Sequence, residues 1–188
     1  MICSKCSKEF AAELPQSINV SDNPELKEAV MDGSFFVATC PECGAPSLKT
    51  GNFVYHDPVE RLLLVLSDAP ISSPGLEGYT CRRVSDVGSL IEKVKIFNAG
   101  LDDVVMELCK YVTLMELGKD ERLKFLRTEG ADSEIVLTYP ENGQMQMIAV
   151  GSNVYSDCEG IVSRNPVIRE KSAGLALIDG DWISQFLK

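Results

Sequence analysis

The apolar positions along this chain keep two rhythms, and the order in which they alternate sets out the elements. Residues 17–21 alternate apolar and polar and predict a short strand. Asn23 is placed to cap a helix that has Pro24 in its first position and Glu25 near its positive end. Leu26, Ala29 and Val30 then share one face, and Gly33 supplies a stop. Residues 35–39, 47–55 and 60–66 read as strands, with His56, Asp57 and Pro58 turning the chain between the last two. Residues 69–78 carry two prolines and two glycines and read as a loop or linker. A strand is expected over 79–84. From Ser85 or Asp86 the period lengthens: Val87, Leu90, Ile91, Val94 and Phe97 fall at helical spacing, and Asn98, Ala99 and Gly100 break the run. A second helix over 101–117 carries Val104, Val105, Leu108, Val112 and Met115. After Gly118 the short period returns over 122–127, 134–139 and 144–150, with Asn142-Gly143 as a hairpin turn. Residues 152–172 show no decisive period. A strand over 173–178, a turn at Asp179-Gly180 and a closing segment over 182–187 complete the reading.

The first chemical signal is a pair of short cysteine motifs, Cys3-Ser4-Lys5-Cys6 and Cys40-Pro41-Glu42-Cys43. Each such turn places two sulfurs on one side with backbone N–H groups aimed at them, and two turns close the tetrahedral shell of a structural Zn2+. Gly44 suits the left-handed residue that ends the second turn, and Ser7 holds the matching place in the first. The separation between pairs exceeds that of an ordinary ribbon, and the strand and helix between them account for the surplus. Cys3, Cys6, Cys40 and Cys43 are therefore the expected metal ligands. A closed four-thiolate shell leaves no open position for chemistry. The competing use, a thioredoxin-type redox pair, needs a cysteine at a helix N-terminus. Gly44-Ala45-Pro46 after one pair and Pro15 soon after the other do not provide it.

Composition narrows the function. The net charge is −10, and acids outnumber bases even over residues 1–50. Nucleic-acid binders draw most of their affinity from a basic face, and none is visible here. No apolar run approaches a membrane span. Met1-Ile2-Cys3 stands where an export signal would need a basic start and an apolar core, so a cytoplasmic protein with reduced or metal-bound cysteines is expected. Cys81, Cys109 and Cys158 are scattered and read as buried or idle thiols. His56 is the one histidine, and a turn residue with a local hydrogen bond accounts for it better than a catalytic partner of Asp57. Asp102, Asp103 and Glu107 sit near a helix start and read as a solvated face; Asp179 and Asp181 belong to turn chemistry, and Trp182 to packing. Phosphate-cradling and nucleophile-elbow motifs are missing, and no catalytic or cofactor-binding residue is assigned.

Beyond its cysteines, the chain resembles the CpXC family of bacterial and archaeal proteins. The resemblance is carried by Ser17-Ile-Asn-Val, Pro24-Glu-Leu-Lys, Asp32-Gly-Ser-Phe-Phe, Cys40-Pro-Glu-Cys-Gly and Tyr55-His-Asp, by the leucine-rich strand that follows, and by the helices of residues 86–117. It covers about two-thirds of the chain well and the last third weakly. The first pair departs from the motif, with Ser4 where proline would stand. The resemblance implies a four-cysteine metal site and supplies no activity. The expected fold is α+β: a zinc-ribbon-like β module packed with two helices over residues 1–118, then a smaller strand-rich part over 119–188, separate or within the same domain. The expected function is that of a zinc-binding interaction or regulatory module whose partner is a protein or small molecule, with no nucleic acid and no membrane. An enzyme with its site between the two parts, and a thiol redox protein, are the alternatives. Oligomeric state is not legible.

Overall fold

The computed structural model describes residues 1–72 and 75–187. The expected loop over 69–78 therefore lies partly outside the described residues, at Ser73 and Pro74. The chain mixes helices and strands and falls into two compact units, Met1–Ile91 and Glu92–Lys188. The boundary expected between residues 118 and 119 falls inside the second of these.

In the first unit, strands β1 (Ser17–Asn19), β4 (Phe53–Asp57), β5 (Leu62–Leu66) and β6 (Thr80–Val84) form a sheet in the order β1-β4-β5-β6. β1 runs parallel to β4, β4 antiparallel to β5, and β5 parallel to β6. All five residues of β5 are buried, which is why it reads as an unbroken apolar run. Helix α1 (Glu25–Met31) follows β1 and buries Val30. Its start differs from expectation: Pro24 occupies the cap position and no side chain caps the helix, while the Asn23 carbonyl accepts the Leu26 N–H at 3.1 Å. Gly33 at φ 84° ends the segment in the left-handed conformation the sequence implied.

Two expected strands are corrected. Ser34–Phe36 is a 3₁₀ turn, so β2 spans only Val37–Thr39. The single strand expected over 47–55 is two, β3 (Pro46–Leu48) and β4, separated at Gly51, whose φ of 143° takes the chain out of ordinary strand geometry. β2 and β3 form a separate hairpin pairing Val37 with Leu48 and Thr39 with Pro46. Phe35, Phe36 and Phe53 stack mutually at 5.1–5.5 Å between ring centroids, and Lys49 N–H donates to the Phe36 carbonyl. The hairpin that carries the second cysteine pair is thereby fixed at its base.

Helix α2 (Val87–Asn98) crosses the unit boundary, and Gly100 at φ 70° follows its end. Helix α3 (Asp103–Leu117) is capped by Asp102, whose carboxylate accepts from Val104 N–H and Val105 N–H, and it stops at Gly118 in a left-handed turn. Strands β7 (Lys124–Glu129), β8 (Glu134–Glu141) and β9 (Gln144–Val150) form an antiparallel meander with a bulge between Phe125 and Arg127. Asn142 and Gly143 both have positive φ, the geometry that a two-residue hairpin turn demands.

The remainder is more helical than the sequence suggested. Residues 152–172 resolve into α4 (Ser152–Arg164) and α5 (Pro166–Lys171), and the closing segment includes α6 (Gly180–Ser184). The strand expected over 173–178 is absent as a strand; only Ala176 has a one-residue bridge. Asp179 caps α6 by accepting the Trp182 N–H at 2.8 Å, so its turn chemistry is that of a helix start. Trp182 stacks on Phe186 at 4.9 Å, as a packing residue should. One core joins these elements, including Val104, Leu108, Cys109, Phe125, Leu137, Cys158, Val162, Ile168 and Ile183.

Candidate metal centre

The two cysteine pairs fold alike, residue for residue. In the first, Cys3 N–H donates to the Lys8 carbonyl and Ser7 N–H donates back to the Cys3 carbonyl, both at 2.9 Å. In the second, Cys40 N–H donates to Ala45 at 2.9 Å and Gly44 N–H to Cys40 at 3.0 Å. The residue that ends each turn is left-handed, Ser7 at φ 58° and Gly44 at φ 68°. Each turn has its own support. An Ile2–Glu9 bridge and a bond from Phe10 N–H to the Met1 carbonyl close the first, and the β2–β3 hairpin closes the second. Lys8 and Glu42 pair at 3.4 Å between the turns, but both are well exposed and such a pair contributes little.

These turns bring all four sulfurs within 4.8 Å of one another. Cys3 Sγ lies 3.6 Å from Cys43 Sγ, and Cys6 Sγ lies 3.7 Å from Cys40 Sγ. A tetrahedral ion with bonds of about 2.3 Å to sulfur requires sulfur–sulfur edges of about 3.8 Å. The donor set therefore fits a single four-coordinate soft ion. Sulfurs of the two turns thus lie as close together as the edges of one shared shell require.

The thiols are electrostatically linked. Backbone N–H groups of Cys6 and Lys5 aimed at Cys3 lower its thiol to about 6. At Cys6 the Lys8 N–H acts in the same direction, but the Cys43 sulfur and lost hydration outweigh it and push the thiol up to about 12. The Ala45 N–H also favours the Cys43 thiolate, yet lost hydration and neighbouring sulfurs leave that thiol raised. One sulfur ionises readily and its neighbours then resist, so a cation that neutralises the cluster must displace their protons.

The other candidates are not gathered here. Cys81 is buried in β6. Cys109 and Cys158 are buried in the core of the second unit. Cys158 lies on α4, within the stretch whose period was indecisive. His56 lies in β4, and its ring bonds the Tyr79 hydroxyl at 3.3 Å. Asp57 is buried and receives Lys27 Nζ at 3.0 Å together with N–H groups of Val59 and Glu60. Burial opposes its ionisation, but the Glu60 N–H and Lys27 more than offset that and hold its carboxyl below the usual range.

Asp103 and Glu107 contradict the expectation of a solvated face, since their side chains are only 1% and 4% exposed. They belong to a buried chain of alternating charge. Lys93 Nζ lies 3.0 Å from Asp103 and 3.6 Å from Glu107. Lys110 Nζ lies 2.7 Å from Glu107 and 2.9 Å from Glu92. Glu92 also meets Lys124 at 3.2 Å and accepts the Phe125 N–H at 2.8 Å. A sequence signal for this existed. α3 is apolar nearly all round (Val104, Val105, Met106, Leu108, Cys109), so charges on it must be buried with partners.

Two paired knuckles with four gathered sulfurs define the class: an α+β protein with a four-cysteine cluster that could hold a metal ion. The family described as CpXC protein matches residues 1–110, more than half of the chain, and the chain belongs to that family. No curated protein and no solved structure matches it.

Proposed function

We propose that the chain is a cytoplasmic zinc-binding protein in which Cys3, Cys6, Cys40 and Cys43 hold one structural Zn2+, and that it serves as an interaction module for a protein or small-molecule partner. The observation that carries this reading is the fit of four sulfurs, all within 4.8 Å, to one tetrahedral ion. Zinc suits the donor set because it takes four thiolates without geometric preference and without redox change. When bound, the ion supplies charge neutralisation and a crosslink; the cysteines supply its shell, and the knuckle N–H groups orient their sulfurs. No ligand position remains for a substrate. The acidic balance, −10 overall, supports a partner other than nucleic acid. Among the described residues no helix is long and apolar enough to cross a membrane.

The test is Cys40→Ser. Metal binding energy is folding energy when the site forms only in the folded state. The variant is expected to lose most of its bound zinc and to melt well below the parent, and chelation of the parent should reproduce its melt. A variant that loses zinc yet melts with the parent contradicts a structural role.

A further inference from the structure

The four cysteines are not equally placed, and the inequality selects one of them. Cys3 and Cys40 are each 1% exposed, Cys43 is half-buried, and Cys6 is exposed. Zinc ionises all four sulfurs, so exposure decides which one meets a reagent from solvent. We propose that Cys6 is the oxidative modification site of this centre, and that hydroperoxides convert the Cys6–Cys40 contact into a disulfide that expels the metal. The proposal rests on the zinc reading.

The chemistry balances. The Cys6 thiolate attacks one peroxide oxygen; the S–O bond forms, the O–O bond breaks, and the departing oxide takes a proton from water. The Cys40 sulfur, 3.7 Å away, then attacks the sulfenic sulfur. The S–S bond forms, the S–O bond breaks, and hydroxide leaves as water. Two thiolates lose two electrons in all, and the hydroperoxide is reduced. Closing to a bond of about 2.0 Å needs a shift of under two ångströms, and the remaining two cysteines cannot hold the ion alone. A bridge across the turns also closes a loop spanning 34 positions, which constrains the unfolded chain more than a bridge within either motif. Oxidation thus exchanges a metal crosslink between the knuckles for a covalent one.

The experiment uses the full chain, with zinc content measured before any reagent is added. Limiting N-ethylmaleimide is expected to label Cys6 at least about fivefold faster than any other cysteine by peptide mass spectrometry. The buried Cys81, Cys109 and Cys158 serve as internal controls. With hydrogen peroxide, a Cys6–Cys40 crosslinked peptide should appear at the rate at which zinc reaches a chromogenic chelator. Labelling of Cys43 first, a bridge within either motif, or retention of zinc through the oxidation overturns the proposal while leaving the zinc reading intact. A chain that takes up no zinc at the outset overturns both.

Discussion

Lys110 shows how far a single charge can be committed to the interior. Burial works against its ammonium, yet Glu107 and Glu92 more than offset this and hold it well above its usual range. Burial likewise opposes Glu92, and Lys110 and Lys124 pull its carboxyl below the usual range. A depressed carboxyl stabilises above its unfolded pKa, near 4.3, and that stability is lost as pH falls through the folded value. A raised lysine stabilises below its unfolded pKa, near 10.4, and that stability is lost as pH rises through the folded value. The network therefore stabilises fully between about pH 4.3 and about pH 10.4. Lys110→Met takes a shared buried cation from Glu92 and Glu107, leaving them Lys124 and Lys93, and is expected to cost about 3–5 kcal/mol in denaturant unfolding at pH 7. A cost below about 1 kcal/mol would show that the remaining lysines or water compensate the carboxylates. The contrast with the cysteines explains what was legible at this scale. The four-cysteine cluster is written as two local motifs, each readable without the other. A buried ion pair is written as isolated charges whose partners, on α2 and β7, are distant in sequence, and for Asp103 and Glu107 only the apolar surround on α3 points to burial.

Among the elements, those whose ends carry their own chemistry were legible. Asn142-Gly143 set the β8–β9 hairpin, and Gly118 stopped α3. Asp102 caps α3 through two N–H bonds and also pairs with Arg169 at 2.6 Å. Asp102→Ala should therefore cost about 1–2 kcal/mol, most of it from the cap because the ion pair is partly exposed. Arg169→Ala separates the terms and should cost under about 1 kcal/mol; an equal loss in both variants, measured by thermal or denaturant unfolding, would assign the effect to the pair. Of the elements missed, α5 and α6 carry such signals in Pro166 and Asp179, whereas the others lack them. α4 is mostly polar with a narrow buried stripe at Cys158 and Val162, so its period is faint. Residues 173–178 have strand-like composition, but they form no ladder: residues 174–177 are half-buried and Ile178 packs into the core. β3 and β4 looked continuous because the break depends on the backbone at Gly51, which alternation does not record.

For the whole molecule, the α+β class and the family were visible in the sequence, whereas the division at Ile91–Glu92 was not, since it falls within a continuous helix. All four proposed ligands belong to the first unit. Chelation followed by limited proteolysis is expected to cut residues 1–91 before residues 92–188; simultaneous loss would mean that the units share one cooperative core. The charge of −10 predicts no complex with duplex DNA or RNA at physiological salt, and a micromolar complex that weakens steeply with added salt would reveal a gathered basic face. The central claim is the shared metal shell, and native mass spectrometry with elemental analysis of the purified chain reads it directly. The account predicts about one zinc per chain, with Cys3, Cys40 and Cys43 protected from alkylation until the metal is removed and the exposed Cys6 reacting first. Well under half an equivalent after expression in zinc-replete medium, or a bound metal that survives loss of Cys40, would contradict it.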